Sequence, residues 1–160
     1  MIPLVIDSNI FFSAIYNPEG IERKILQITI EKEELKLFSP DVFWEEIERN
    51  FIKKLGYSKK IINELFSKFN IIEVSIDDYT NFIKKAELLV NHENDVPFVA
   101  VALYLNCPLW SGNEKHFGPL KDLKEFIWFN SRNLMIYLKD KNLIEINEVE
   151  TEPHKKEGKQ

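Results

Sequence analysis

The chain has 160 residues, a formal net charge of -5, and 44% hydrophobic and 12% aromatic side chains. That balance suits one packed domain and excludes a disordered chain. The acidic surplus excludes nucleic-acid binding through overall charge, so any polyanion has to be met by a local basic patch or through metal ions. With only five Gly the chain has no Gly-rich phosphate loop. Its lone Cys107 has neither a disulfide partner nor a second thiol for zinc, and is expected to be structural and reduced. The first residues lack a basic leader and no apolar segment approaches a membrane span, which gives a cytoplasmic expectation.

Short apolar runs alternate along the chain with longer helical patterns, the signature of an α/β fold with a largely parallel sheet. The first run, Leu4 to Ile6, stops on Asp7 and is followed by a helix near Ile10 to Tyr16. A second helix spans Gly20 to Lys32, with Ile21, Ile25, Leu26 and Ile28 on one side. A strand over Leu35 to Phe38 leads through "SPDVFWEEIERNF" into a helix over Val42 to Leu55, whose expected buried stripe is Trp44, Ile47, Phe51 and Leu55. Next come a helix over Ser58 to Phe69, core-facing through Ile61, Ile62, Leu65, Phe66 and Phe69, a strand over Ile71 to Val74, and a helix over Tyr79 to Asn91. The stretch "DVPFVAVALYL" is apolar all round after Asp95. Pro97 makes it a buried helix over Val96 to Leu105, since Pro is tolerated in a first turn and would break a central ladder. Strands over Pro108 to Trp110 and Phe126 to Phe129 follow, then a helix over Arg132 to Lys141. A domain over residues 1–146 and a charged, disordered tail over 147–160 are expected.

In an open parallel sheet, ligands bind beyond the carboxyl ends of the strands, near the point where strand order reverses. Asp7 ends the first strand, Glu46 lies in the helix after the second, Asp95 opens the buried helix, and "SGNEKHF" follows the fourth strand. These segments are expected to share one edge. Clustered carboxylates repel unless a cation balances them, and oxygen donors without supporting Cys or His favour Mg²⁺ or Mn²⁺. Such ions activate water and stabilise the leaving oxygen in phosphodiester hydrolysis. Each acid also has an ordinary explanation. Asp7 and Asp95 stand where helix N-caps stand, and Glu46 lies off the buried stripe, as a solvated Glu would.

With these residues in place the chain resembles the PIN-domain family of metal-dependent ribonucleases over roughly its first four-fifths. "VIDSN" is similar to the family's opening hydrophobic-Asp-Ser/Thr-Asn motif, and "SPDVFWEEIERNF" to its second motif, with Glu46 before Ile47 as the acid. "NDVPFVAVAL" is similar to the run that carries the third acid, here Asp95. The fourth motif departs from the pattern: "WSGNEKHF" puts either Asn113 or Glu114 at the acid's position, with Glu114 slightly preferred because it keeps the charge.

The resemblance implies a three-layer α/β/α sandwich with about five strands, and Mg²⁺ or Mn²⁺ held by Asp7, Glu46, Asp95 and Glu114 as catalytic and metal residues. It further implies cleavage of single-stranded RNA, and a place as the toxin of a toxin-antitoxin pair with an antitoxin partner and a homodimer. The alternative is a catalytically weak RNA- or protein-binding module, motivated by the altered fourth position. A haloacid-dehalogenase-like phosphatase would need a second Asp where this chain has Asn9. The basic pairs Lys53/Lys54, Lys59/Lys60, Lys84/Lys85 and Lys115/His116 are either wet helix faces or phosphate contacts. His92, His116 and His154 have no ligand spacing among themselves. Trp110 and Trp128 read as sheet core, with Trp110 near enough to the edge to stack on a base.

Overall fold

The structure, a computed structural model, describes residues 1–144; the expected tail over 147–160, the boundary at 146 and His154 lie outside the described residues. Five parallel strands form one sheet in the order β3-β2-β1-β4-β5: β1 Ile2–Ile6, β2 Leu35–Pro40, β3 Ile72–Val74, β4 Leu109–Trp110 and β5 Trp128–Phe129. Each expected strand is present. The central strand has both faces covered, so Leu4, Val5 and Ile6 are consecutive apolar residues with no exposure. The chain moves outward from β1 to β2 and β3, then returns to the other side of β1 for β4 and β5. The reversal point therefore falls between β1 and β4, directly beyond Ile6.

Helices cover both faces. One layer holds α1 (Ser8–Tyr16), α2 (Ile21–Glu31), α3 (Val42–Ile47), α4 (Lys59–Phe69) and, after β5, α9 (Ser131–Asp140). The other holds α5 (Ile76–Tyr79), α6 (Ile83–Leu89) and α7 (Val96–Leu105). Helix α7 packs on β1, β2 and β4 with one side and on α5 and α6 with the other. This explains why Phe98 to Ala102 are all buried and the helix shows no polar face. Pro97 sits in its first turn, as expected from the sequence.

Four expectations change in detail. The helix expected over Val42 to Leu55 becomes a π-helix from Glu48 to Lys54. With i to i+5 bonding, four residues no longer complete a turn, so Leu55 falls off the stripe and is 46% exposed while Phe43, Ile47 and Phe51 are buried. Ile61, expected to face the core, is 53% exposed because only Ile62 and Phe69 of α4 are fully buried, with Leu65 and Phe66 partly so. The helix expected over Tyr79 to Asn91 begins at Ile76, where the Ser75 hydroxyl accepts from the Asp77 N–H, and is divided by a 3-10 turn at Thr80–Phe82. A short helix α8 (Glu114–Phe117), not expected, follows β4.

Asp41 fastens the carboxyl ends of β2 and β3 together. Its carboxylate accepts from the Tyr79 hydroxyl at 2.8 Å and from the Ile76 N–H at 3.1 Å, and its own N–H donates to Val74 O at 3.1 Å. Burial, then this bond and the charge of Asp41, push the Tyr79 phenol upward. With both oxygens engaged, Asp41 is a latch between strands. Cys107 is buried, and burial pushes its thiol up to about 12, as befits an inert structural cysteine.

Candidate metal centre

Asp7 leaves β1 at the reversal point, where its N–H donates to Trp110 O of β4 at 3.0 Å. The residue stands at the N-cap position of α1, yet its side chain accepts no capping hydrogen bond; the Asn9 amide lies near enough only to favour its charge. Asp95 likewise precedes α7 without capping it, being itself the last residue of a 3-10 turn over Glu93–Asp95. Capping therefore does not account for Asp95, and for Asp7 it is limited to the Asn9 backbone N–H, the smallest of the influences on its carboxyl. Both are only 8% exposed, and a carboxylate is kept there at an electrostatic cost.

Three carboxylates meet at this edge. Ser111, the first residue after β4, donates from its hydroxyl to Asp7 Oδ2 at 2.7 Å and accepts from the Asn113 N–H at 3.2 Å. The Ser8 hydroxyl lies 3.5 Å from Asp7 Oδ1 and makes a short hydrogen bond to Glu46 Oε2. Its one proton serves Glu46, so the hydroxyl sits between the two acids. Burial pushes the Asp7 carboxyl up to about 6; the Ser111 bond opposes this, and the charges of Glu46 and Asp95 reinforce it. Burial also raises Glu46, against the Ser8 bond and Arg49, with Asp95 again raising it. Burial raises Asp95, opposed first by His116. Arg49 and His116 offset part of the charge at Glu46 and Asp95, while among the described residues no cation bears on Asp7 and both other acids crowd it, the condition that a cation relieves.

His116 Nδ1 lies 2.6 Å from Asp95 Oδ2. By strict geometry Oδ2 has no aligned donor, but no atom fits between groups this close, so the contact is an ion pair or its neutral equivalent. The Asn113 amide nitrogen is 2.9 Å from the same Nδ1, and the exposed His92 stacks on the His116 ring at 3.6 Å and 14°. Glu114 does not join the other acids through any hydrogen bond: it is exposed and its Oε1 accepts from Asn130 Nδ2 at 3.3 Å. Trp110 has no exposure, and its Nε1 donates to Ser131 Oγ at 3.0 Å, which removes it as a stacking platform. Sequence reasoning missed Ser8, Ser111 and the His92–His116 pair. Ser8 adjoins Asp7 in the motif and was open to notice, whereas the histidines are far apart in the chain.

The donor set suits a hard divalent cation. Among the described residues no three His, Cys, Asp or Glu side chains form a group that could hold a metal ion; the fit rests on the oxygen chemistry of the donors alone, which Mg²⁺ accepts with one or two carboxylates and several waters. The buried Asn9 Oδ1 has no hydrogen-bond partner and can receive a water of such an ion. Replacing Ser8 by Ala frees Glu46 Oε2 and is expected to weaken Mn²⁺ binding about 10- to 100-fold, the scale of losing a group that orients a ligand. Isothermal titration of the metal-free protein measures it.

Residues 5–126 match the PIN domain family, and the chain belongs to it. Members are typically nucleases that use divalent metals. An uncharacterised protein of Methanocaldococcus jannaschii is 29% identical over 139 residues, covering 84% of this chain and 85% of that one. Among solved structures, DNA-bound VapBC from Salmonella typhimurium aligns with a TM-score of 0.65 at 10% identity over 82% of this chain and 99% of that chain. VapBC2 from Rickettsia felis, bound to a DNA fragment from its promoter, aligns at 0.59 and 19% identity over 81% and 98%. At these identities the likeness establishes the shared fold. No helix among the described residues is long and apolar enough to cross a membrane.

Proposed function

We propose that the chain is a Mg²⁺- or Mn²⁺-dependent endoribonuclease that hydrolyses single-stranded RNA. The observation that supports this reading is the convergence of Asp7, Glu46 and Asp95 at the strand-order reversal, with burial raising all three and carboxylate charge adding to it at Asp7 and Glu46. A bound cation supplies an activated water and stabilises charge developing on the leaving oxygen. The chain's own part is to hold and orient that cation on Asp7, Glu46 and Asp95, while Ser8 and Ser111 fix the directions of two of the carboxylates. Arg49, Lys53 and Lys54 lie exposed on the helix that carries Glu46 or on its continuation, and offer phosphate contacts to a strand approaching the site. The VapBC neighbours support a further step, a toxin's role with an antitoxin protein as partner; a homodimer follows from the family resemblance alone.

The fourth corner favours a second reading, a catalytically weak module that binds RNA or protein, because Glu114 is turned to Asn130 and Asn113 to His116. Cleavage of an unstructured RNA by the full chain, in Mn²⁺ and in EDTA, beside Asp7→Asn, separates the two. Metal-dependent cleavage lost in the variant supports the nuclease. Equal residual activity in both proteins defeats it, and RNA binding without cleavage supports the second reading.

A further inference from the structure

A column of rings runs from the core to the surface beside Asp95. Phe117 has no exposure and packs against Phe126 at 6.1 Å and Trp128 at 6.4 Å. His116, next to it in α8, meets the Phe117 ring edge to face at 6.3 Å. Its Nδ1 lies 2.6 Å from Asp95 Oδ2 and 2.9 Å from the Asn113 amide nitrogen. His92 lies on His116, with centroids 3.6 Å apart and planes 14° from parallel. The backbone of His92 is fixed as well, because its carbonyl oxygen accepts from the Asp95 N–H at 3.0 Å. A ring held by its backbone and by one face has given up much of its rotamer freedom before any ligand arrives. His92 is nonetheless exposed, and among the described residues it stacks on no ring but His116. That leaves its far face to solvent.

We infer that His92, backed by His116, is a stacking platform that takes a base of the RNA strand on its far face and so places the strand beside Asp95. The inference rests on the RNA-cleaving reading above and adds how the strand is held. Bases of a single strand are free to splay onto aromatic side chains. Every base has a π-face, so such a platform takes the strand without reading its sequence. Trp110 and Phe117, the other rings of β4 and α8 besides His116, have no exposure and cannot serve. His92 directly precedes the 3-10 turn that ends on Asp95, so a base on its ring brings the adjoining phosphates within reach of the acids.

The test is steady-state cleavage of a fluorescein-labelled oligo(A) RNA in Mn²⁺ by the full-length chain and by His92→Ala, His92→Phe and His92→Lys, with folding checked by thermal melting. His92→Ala is expected to raise KM about 5- to 30-fold, the scale of losing one stack of a base on a ring, with kcat and Mn²⁺ affinity within about twofold of the wild type. His92→Phe, a ring without charge, is expected to keep the wild-type KM, and His92→Lys, a charge without a ring, to lose it. An unchanged KM in His92→Ala overturns the platform and leaves the nuclease reading standing. Rescue by Lys and not by Phe overturns it in favour of a phosphate contact. A fall in kcat and Mn²⁺ affinity with KM unchanged overturns it too, because His92 then acts through His116 on Asp95. If His92→Ala does not fold, His92→Phe against His92→Lys still decides. If the wild type binds the RNA uncut, fluorescence anisotropy compares Kd in the same buffer with the same expectations, and the platform stands while the nuclease reading falls. Neither binding nor cleavage by the wild type defeats both.

Discussion

Replacing Asp7 by Asn is expected to lower Mn²⁺-dependent RNA cleavage by about two to three orders of magnitude, the scale of removing one preorganised electrostatic group, and yet to stabilise the metal-free protein above pH 6. The sign follows from the carboxyl's value of about 6 in the fold against 3.8 ordinarily. The folded chain holds this proton more tightly than the unfolded chain does. The stability that the group contributes is complete below about pH 4 and is lost as pH rises through about 6. Over roughly two units the loss is on the order of 3 kcal/mol. Asn carries no charge and escapes it. Urea denaturation in EDTA at pH 5 and pH 8 measures the difference: the wild type weakens between the two more than the variant does, and Mn²⁺ at pH 8 restores the wild type alone. A variant less stable than the wild type in EDTA at pH 8 would show that Asp7 serves the fold, as a helix cap does.

Phe11→Ala is expected to cost on the order of 3 to 5 kcal/mol, the range for truncating a buried aromatic residue. Phe11 has no exposure. Its ring meets Phe43, Phe51 and Phe69 edge to face at 6.2, 5.8 and 5.9 Å, and Phe66 at a tilt at 6.0 Å. One residue of α1 thereby ties together α3, the π-helix and α4, and each pair contributes beyond its buried area. Because α1 starts at Ser8 and α3 carries Glu46, the same cluster sets the distance between Ser8 and Glu46. Equilibrium urea unfolding checks the magnitude; a loss below about 1 kcal/mol would mean that neighbouring rings collapse into the space.

Much of the fold was legible because its periods are strong. The run Leu4 to Ile6 needs both faces covered, and "VPFVAVAL" has no polar side, so a central parallel strand and a buried helix followed from local pattern alone. Shorter features were not legible. The π-helix that exposes Leu55 depends on how Phe51 packs against Phe11 and Phe12, and nothing local in "ERNFIKK" announces it. At the site, chain order put Asp7 and Asp95 forward, because topology sends both to the same edge, whereas Glu46, inside α3, was selected through the family resemblance.

The sequence by itself put Asp7, Glu46 and Asp95 forward as acids of one sheet edge, through chain order and the family resemblance. Only the tertiary structure decided that the Asp95 side chain does not cap α7, that Ser8 and Ser111 orient two of the acids, and that His116 reaches Asp95 while Glu114 turns to Asn130. The physical reason is reach. Chain order says where a backbone segment ends, but a side chain's partner is set by rotamer and packing across segments distant in sequence, as with Asp7 and Ser111, 104 positions apart.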